Sequence, residues 1–226
     1  MRQIEYVPTE RTTLRRGAPR ARYDRATVHA ILDEGIYCHV SCNTPERTFC
    51  TPMVYARRGE ELLLHGAVGN RTLRTLRDGA PACVNVTLLD GLVLGRSAFR
   101  TSVNYRSVTV FARAREIGDR ADKLAALRAI IEAVVPGRWP DVRTPSEGEL
   151  AMSMVLSLPL LEVSAKLRSG PPADLEPDLA LPAWAGVIPV RSAFGAPEDA
   201  PGLLPERAAP HYAIHYRRPV AAREGR

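Results

Sequence analysis

Apolar residues recur along this chain with two periods, and the switches between them set the expected elements. Val28, Ile31 and Leu32 follow Asp24 at helical spacing, and Gly35 closes the segment, which predicts a capped helix to about Asp33. Residues 36–42 and 48–56 read as a β-hairpin around Asn43-Thr44-Pro45-Glu46. Pro52 has no amide hydrogen, so its part of the second strand belongs at an edge or a bulge. Leu62-Leu63-Leu64 is a third strand, after the turn residues Arg58-Gly59-Glu60. Residues 82–89 set Val84, Val86 and Leu88 on one face, and Asp90-Gly91 is expected to turn that strand into 92–94. In 104–112, Tyr105, Ser107, Thr109 and Phe111 alternate with Arg106, Val108 and Val110.

Asp119 begins the clearest helix, with Leu124, Leu127, Ile130, Ile131 and Val134 on its apolar face and Pro136-Gly137 at its end. Ser146 and Glu149 have capping-box spacing, and 154–166 reads as one last strand. Six or more short strands joined by tight turns cannot be parallel, because parallel pairs need long crossovers. The expected fold is therefore mainly β (α+β), an antiparallel barrel with flanking helices. Three segments follow: a polar arm over 1–22, a barrel domain over 23–172 and a proline-rich tail over 173–226. In the tail, 184–190 and 211–216 read as extended. Trp184, Val187, Ile188 and Val190 are too apolar for water, so Trp184 is expected to be mostly buried.

One stretch carries candidate chemistry. A strand ends at His65, small residues follow through Gly66 and Gly69, and Asn70 caps a short helix begun by Arg71 and Thr72. Free N–H groups at a helix start favour an anion, and the Arg71 guanidinium suits a phosphate. An ordinary strand-to-helix connection with an exposed arginine is the competing reading.

Composition narrows the function classes. With 226 residues, 45% hydrophobic, the chain can bury a full core. No apolar run is long enough to span a membrane and no secretory signal is visible, so the cytoplasm is the expected location. Six arginines and two glutamates give residues 1–23 a charge of +4, and four arginines and one glutamate give 217–226 a charge of +3. Of the +6 total, the body between them holds −1. A nucleic-acid binder carries its charge on a folded face, so no nucleic-acid partner is expected. Cys38, Cys42, Cys50 and Cys83 read as buried thiols rather than disulfides, and Cys38-His39-x-x-Cys42 lacks the second pair a structural zinc site uses.

The order of C-H-V, T-P-M-V-Y, L-L-L-H-G-A, N-R-T-L, L-L-D-G-L-V-L, N-Y-R-S-V and V-P-G-R-W resembles the pyridoxamine 5′-phosphate oxidase-like, FMN-binding split-barrel family. The likeness is closest to its nitroimidazole-resistance and flavin-nucleotide-binding branch and covers roughly residues 23–172. It implies a six-stranded antiparallel split β-barrel, a homodimer, and FMN in clefts between subunits. The phosphate would lie at Gly69, Asn70, Arg71 and Thr72. Only Arg71 keeps the charge of the oxidases' serine-arginine-lysine run. Pro52, Met53, Val54 and Tyr55 would line the flavin ring, with Arg106 and Ser107 also at the cofactor. His65 and Gly66 would stand at the cleft mouth, His65 as the candidate catalytic residue. The basic residues that hold the vitamin phosphate in true oxidases have no clear counterpart. The resemblance thus implies an FMN-dependent oxidoreductase acting on some other small molecule. The alternative is a haem-binding member, enzyme or carrier, with His65 or His39 as axial ligand.

Overall fold

A computed structural model describes residues 5–204 and 207–219; the first four residues of the arm and the last seven of the tail lie outside the described residues. Ten strands run in chain order: β1 (Ala21–Arg22), β2 (Tyr37–Asn43), β3 (Thr48–Arg58), β4 (Glu61–Ala67), β5 (Pro81–Leu94), β6 (Ser102–Arg113), β7 (Arg115–Glu116), β8 (Ser153–Pro159), β9 (Glu162–Arg168) and β10 (Gly186–Pro189). The α-helices are α1 (Arg25–Glu34), α2 (Arg71–Arg77), α3 (Arg120–Val134), α4 (Glu147–Met152) and α5 (His211–Ile214). All pairings are antiparallel, in the order β1-β9-β6-β5-β2-β3-β4-β8-β7, with β10 added to β5.

The split lies in β3. Its first half pairs with β2, and only Tyr55–Arg58 pair with β4. Pro52 falls in the first half, opposite His39, where the side away from β2 needs no ladder bond. Among the described residues the two ends of the sheet, β1 and β7, do not pair, so the barrel stays open.

Two cores result. The larger fills the barrel with Val40, Tyr55, Leu62, Leu64, Val84, Val108 and Leu156, and α1 plugs one end with Val28, Ile31 and Leu32. The smaller lies outside β4 and β8, where Leu63 and Val155 meet Leu127 and Ile130 of α3 and Leu150 of α4. The triple leucine of β4 is continuous because this strand is covered on both faces. Asp24, Asn70, Asp119 and Ser146 all act as N-caps through their side chains, and Ser146 with Glu149 completes the capping box.

Four expectations need correction. Asp90-Gly91 is not a turn: β5 runs unbroken for 14 residues, with Asp90 as an extra residue in a bulge between Leu89 and Gly91. The bulge lets Asp90 point inward to a buried arginine, while β10 takes the β5 edge that β2 leaves. Residues 154–166 form two strands, because the chain turns at Leu160-Leu161 and passes from β4's side of the barrel to β6's. Trp184 is 67% exposed; its ring lies over Gly186, where a Cβ would come within 2.7 Å, and its other face meets solvent. Residues 211–214 are helical, although 186–189 pair as an extended strand. No helix among the described residues is long and apolar enough to cross a membrane.

Candidate functional site

The loop after β4 is pinned at both ends. Gly66 and Ala67 pair with Met154 and Ser153 of β8, the Val68 N–H donates to the Met152 carbonyl at 3.0 Å, and the Asn70 N–H donates to the Ala67 carbonyl at 2.8 Å. The Asn70 side chain accepts from the Leu73 N–H at 3.0 Å. Gly66 is needed for close approach, since a Cβ there would lie 2.9 Å from Leu73 Cδ1. Gly69 faces open space. Thr72 is buried, its hydroxyl 3.0 Å from that of Thr51, which ties α2 to β3. Arg71 is exposed and rests its guanidinium over the Phe49 ring at 4.2 Å, a cation–π contact that holds the charge beside the loop.

On β3 the alternation separates the expected residues. Pro52 and Val54 face outward. Met53 and Tyr55 point into the barrel, and the Tyr55 hydroxyl donates to the Leu32 carbonyl at 2.5 Å. Only the backbone of Met53 and Tyr55 is left to line an outer cleft. Cys38 and Cys42 likewise point inward, where burial pushes the Cys38 thiol up to about 12; the expectation of buried thiols fails at Cys50, which is exposed, and at Cys83, which is half-buried, because both fall on the outward phase of their strands. The four thiols are free and do not converge, and the described residues hold no cluster of three or more groups suited to a metal ion.

His65 lies opposite Val155 on the outer side of β4 and is half-buried. Its Nδ1 is shut off from solvent and has no hydrogen-bond partner. Burial lowers its pKa, so the ring is neutral at pH 7. Val54 lies one residue past the last β3–β4 pair, Tyr55–Leu64, and the exposed Val68 and Met152 stand at the same end of β4 and β8. His39 is exposed on the outer face, edge-on to Tyr37 at 5.7 Å and paired with Pro52 and Asn85.

Arg106, expected at the cofactor, is instead turned into the barrel. It is 4% exposed, with its guanidinium bound to both Glu34 oxygens (2.5 and 2.9 Å) and both Asp90 oxygens (2.8 and 2.9 Å). Every nitrogen is committed to a carboxylate, so it joins the end of α1 to the β5 bulge. Its neighbour Ser107 faces outward between Thr87 of β5 and Lys166 of β9. Ser107 lies on β6, three strands from β3, roughly 14 Å at the usual strand spacing. The sequence reading missed the rest of this polar row. Thr87 donates to Asn85 at 2.7 Å and Asn85 to Thr109 at 3.1 Å. The outward polar phase of residues 83–87 was the available signal.

The open antiparallel barrel, its pinned loop and its polar outer face define the class. The profile of the family described as Pyridoxamine 5'-phosphate oxidase matches residues 24–167, and the chain belongs to this family. Among solved structures, the flavocytochrome Anf3 from Azotobacter vinelandii is 39% identical, with a TM-score of 0.89 over 94% of this chain and 99% of that one. The FAD- and haem-binding protein from Mycobacterium smegmatis is 35% identical, with a TM-score of 0.82 over 85% of this chain and 95% of that one. A protein from Bacteroides thetaiotaomicron, described as a putative 5-nitroimidazole antibiotic resistance protein, shares the fold at 19% identity and a TM-score of 0.54, over 65% of this chain and 85% of that one. A comparison with curated proteins finds no match.

Proposed function

We propose that this protein is a homodimeric oxidoreductase that binds a flavin nucleotide and haem together and acts on a small molecule in the cytoplasm. Flavin and haem entered the sequence reading as alternatives. The likeness to a flavocytochrome and to an FAD- and haem-binding protein, over most of the chain, favours both at once.

The observation that carries the reading is His65, half-buried on the outer side of β4 in a ring kept neutral by burial, whose enclosed Nδ1 would leave Nε2 as the nitrogen to meet iron. A neutral imidazole is what an iron ligand requires. The exposed apolar Val54, Val68 and Met152 beside it offer the surface a porphyrin needs. His39, exposed on the outer face, is the competing ligand.

The flavin reading rests on Arg71. Its guanidinium is held by Phe49, and Gly69 leaves the approach open. FMN and FAD share the phosphate Arg71 would hold. Pro52, Val54, the backbone of Met53 and Tyr55, and Ser107 from the second subunit would flank the ring. When bound, these groups supply one- and two-electron chemistry; the protein orients them and excludes water.

The absorption spectrum of the purified protein tests this. A Soret band with flavin bands beneath it is expected, and mass spectrometry of the released ligands names the flavin. His65→Ala should abolish the Soret band and leave the flavin in place; loss only in His39→Ala would move the ligand to β2. A colourless protein that takes up neither group on reconstitution would overturn the proposal.

A further inference from the structure

Outside the site just described, the arm builds a second charged feature. Gly17 takes a left-handed φ of 75° and turns the chain back, so that the Arg20 N–H reaches the Gly17 carbonyl at 2.9 Å. Ala21 and Arg22 then pair with Lys166 and Ala165 at the outer edge of β9. A Cβ on Gly17 would lie 3.8 Å from Arg20 Cδ and 3.9 Å from Lys166 Cε, so the turn sits against the stems of both side chains. Arg16, Gly17, Pro19, Arg20 and Lys166 line an open cavity of about 580 Å³.

Three of those five residues are cationic and none is acidic. Two carboxylates of this region are engaged with other arginines: Glu162 pairs with Arg11, and Glu10 lies 3.6 Å from Arg15. Next to Lys166 on β9, the hydrogen bonds of Arg168 to the described residues go to neutral groups, at 2.6 Å to Asn104 Oδ1 and 3.4 Å to the Val103 carbonyl. Burial, and then the charge of Arg20, push Arg168 below the usual guanidinium range, so positive charge here lacks compensation. Like charges repel unless an anion joins them.

The location ties this groove to the outer face. Lys166 stands directly opposite Ser107, and Ser107 opposite Thr87, so the three side chains share one row. We propose that the groove formed by Arg16, Arg20 and Lys166 is an anion-binding site that seats the phosphate or carboxylate of the protein's small-molecule substrate beside Ser107. The substrate role rests on the flavin reading above; the anion site does not. Guanidinium and ammonium groups at the end of a polar row give charge-assisted hydrogen bonds to an anion while leaving its uncharged part toward the sheet. The substrate class is thus an acidic small molecule, and the arm is part of its binding site.

Calorimetric titration of the purified holoprotein with pyrophosphate and with citrate tests the assignment, and comparing the two separates phosphate from carboxylate preference. Saturable binding of at least one anion is expected, together with a shift of the flavin bands. Arg20→Gln/Lys166→Gln should weaken binding at least tenfold without changing bound flavin, and Lys166→Arg should retain it. Absence of saturable binding in the wild type overturns the site. So does equal binding in the double variant, which would send the anion to Arg71 or elsewhere. Anion binding with unshifted flavin bands overturns the substrate role. Because calorimetry needs no chromophore, a flavin-free protein that binds anions through Lys166 refutes the flavin reading and leaves the groove standing.

Discussion

At the scale of single residues, exposure and partnering separate function from structure. Arg71 and Arg106 both looked like cofactor residues in sequence, but one lies on the surface over Phe49 and the other is locked between two carboxylates. Arg71→Ala should weaken flavin nucleotide binding about ten- to a hundredfold, at 1.4 kcal/mol per decade, and leave riboflavin affinity nearly unchanged. Equal losses for the two ligands, measured by fluorescence titration, would make Arg71 structural. Arg106→Met should instead lower stability by about 3–5 kcal/mol, because it removes the buried guanidinium that bridges Glu34 and Asp90; denaturant midpoints decide this. His65 adds a pH dependence with a definite sign. Its folded pKa lies below its ordinary value of 6.5, so the unfolded chain binds the proton more readily. Its share of stability is present above about pH 6.5 and is lost as pH falls through the lower folded value. His29, also lowered by burial, acts in the same direction, so the test is a difference. His65→Leu should lose less stability between pH 7.5 and 5 than the wild type when both are compared haem-free, and parallel losses would refute the assignment.

At the scale of elements, the short α2 depends on its cap. Asn70 satisfies the Leu73 N–H and fixes the loop that presents Arg71, so Asn70→Ala should cost about 0.5–2 kcal/mol, read from thermal unfolding, and loosen flavin binding as well. Caps and periods of this kind were legible. Asp24, Asn70, Asp119 and Ser146 stand where local chemistry puts them, because a cap is decided by residues within one turn. The bulge at Asp90 was not legible. Asp-Gly has the local chemistry of a turn, and only a buried arginine 16 residues away makes an extended bulge the better solution. The break at Leu160-Leu161 was hidden for a related reason. An apolar run covered on both faces shows no alternation, so nothing local marks where it changes neighbours. At the site, the loop and Arg71 were readable because they are contiguous. Lys166 was not, because its place opposite Ser107 comes from the β6–β9 register and from an arm some 150 residues earlier in the chain.

At the scale of the whole molecule, the outer face decides assembly. Tyr37, Leu89, Leu92, Val103 and Ile188 are 58, 46, 41, 37 and 48% exposed. The register puts Ile188, Leu92 and Val103 in one row across β10, β5 and β6, and the bulge keeps Leu89 on the same face. Apolar residues clustered across a sheet in this way are a surface for another protein, and in our proposal the occupant is a second copy. In that proposal a two-fold partner would bring the Ser107 of one subunit toward the Arg71 of the other. An obligate interface of this kind buries on the order of 2,000 Å² or more, so the protein should be dimeric at micromolar concentration. Leu92→Lys/Ile188→Lys places two charges per subunit in that interface. It should weaken association at least a hundredfold, about 2.7 kcal/mol, and release bound flavin in the same step. Light scattering and flavin absorbance on the same fractions test both halves. A monomeric wild type would remove the dimer; a dissociated variant that kept its flavin would show that each subunit binds it unaided.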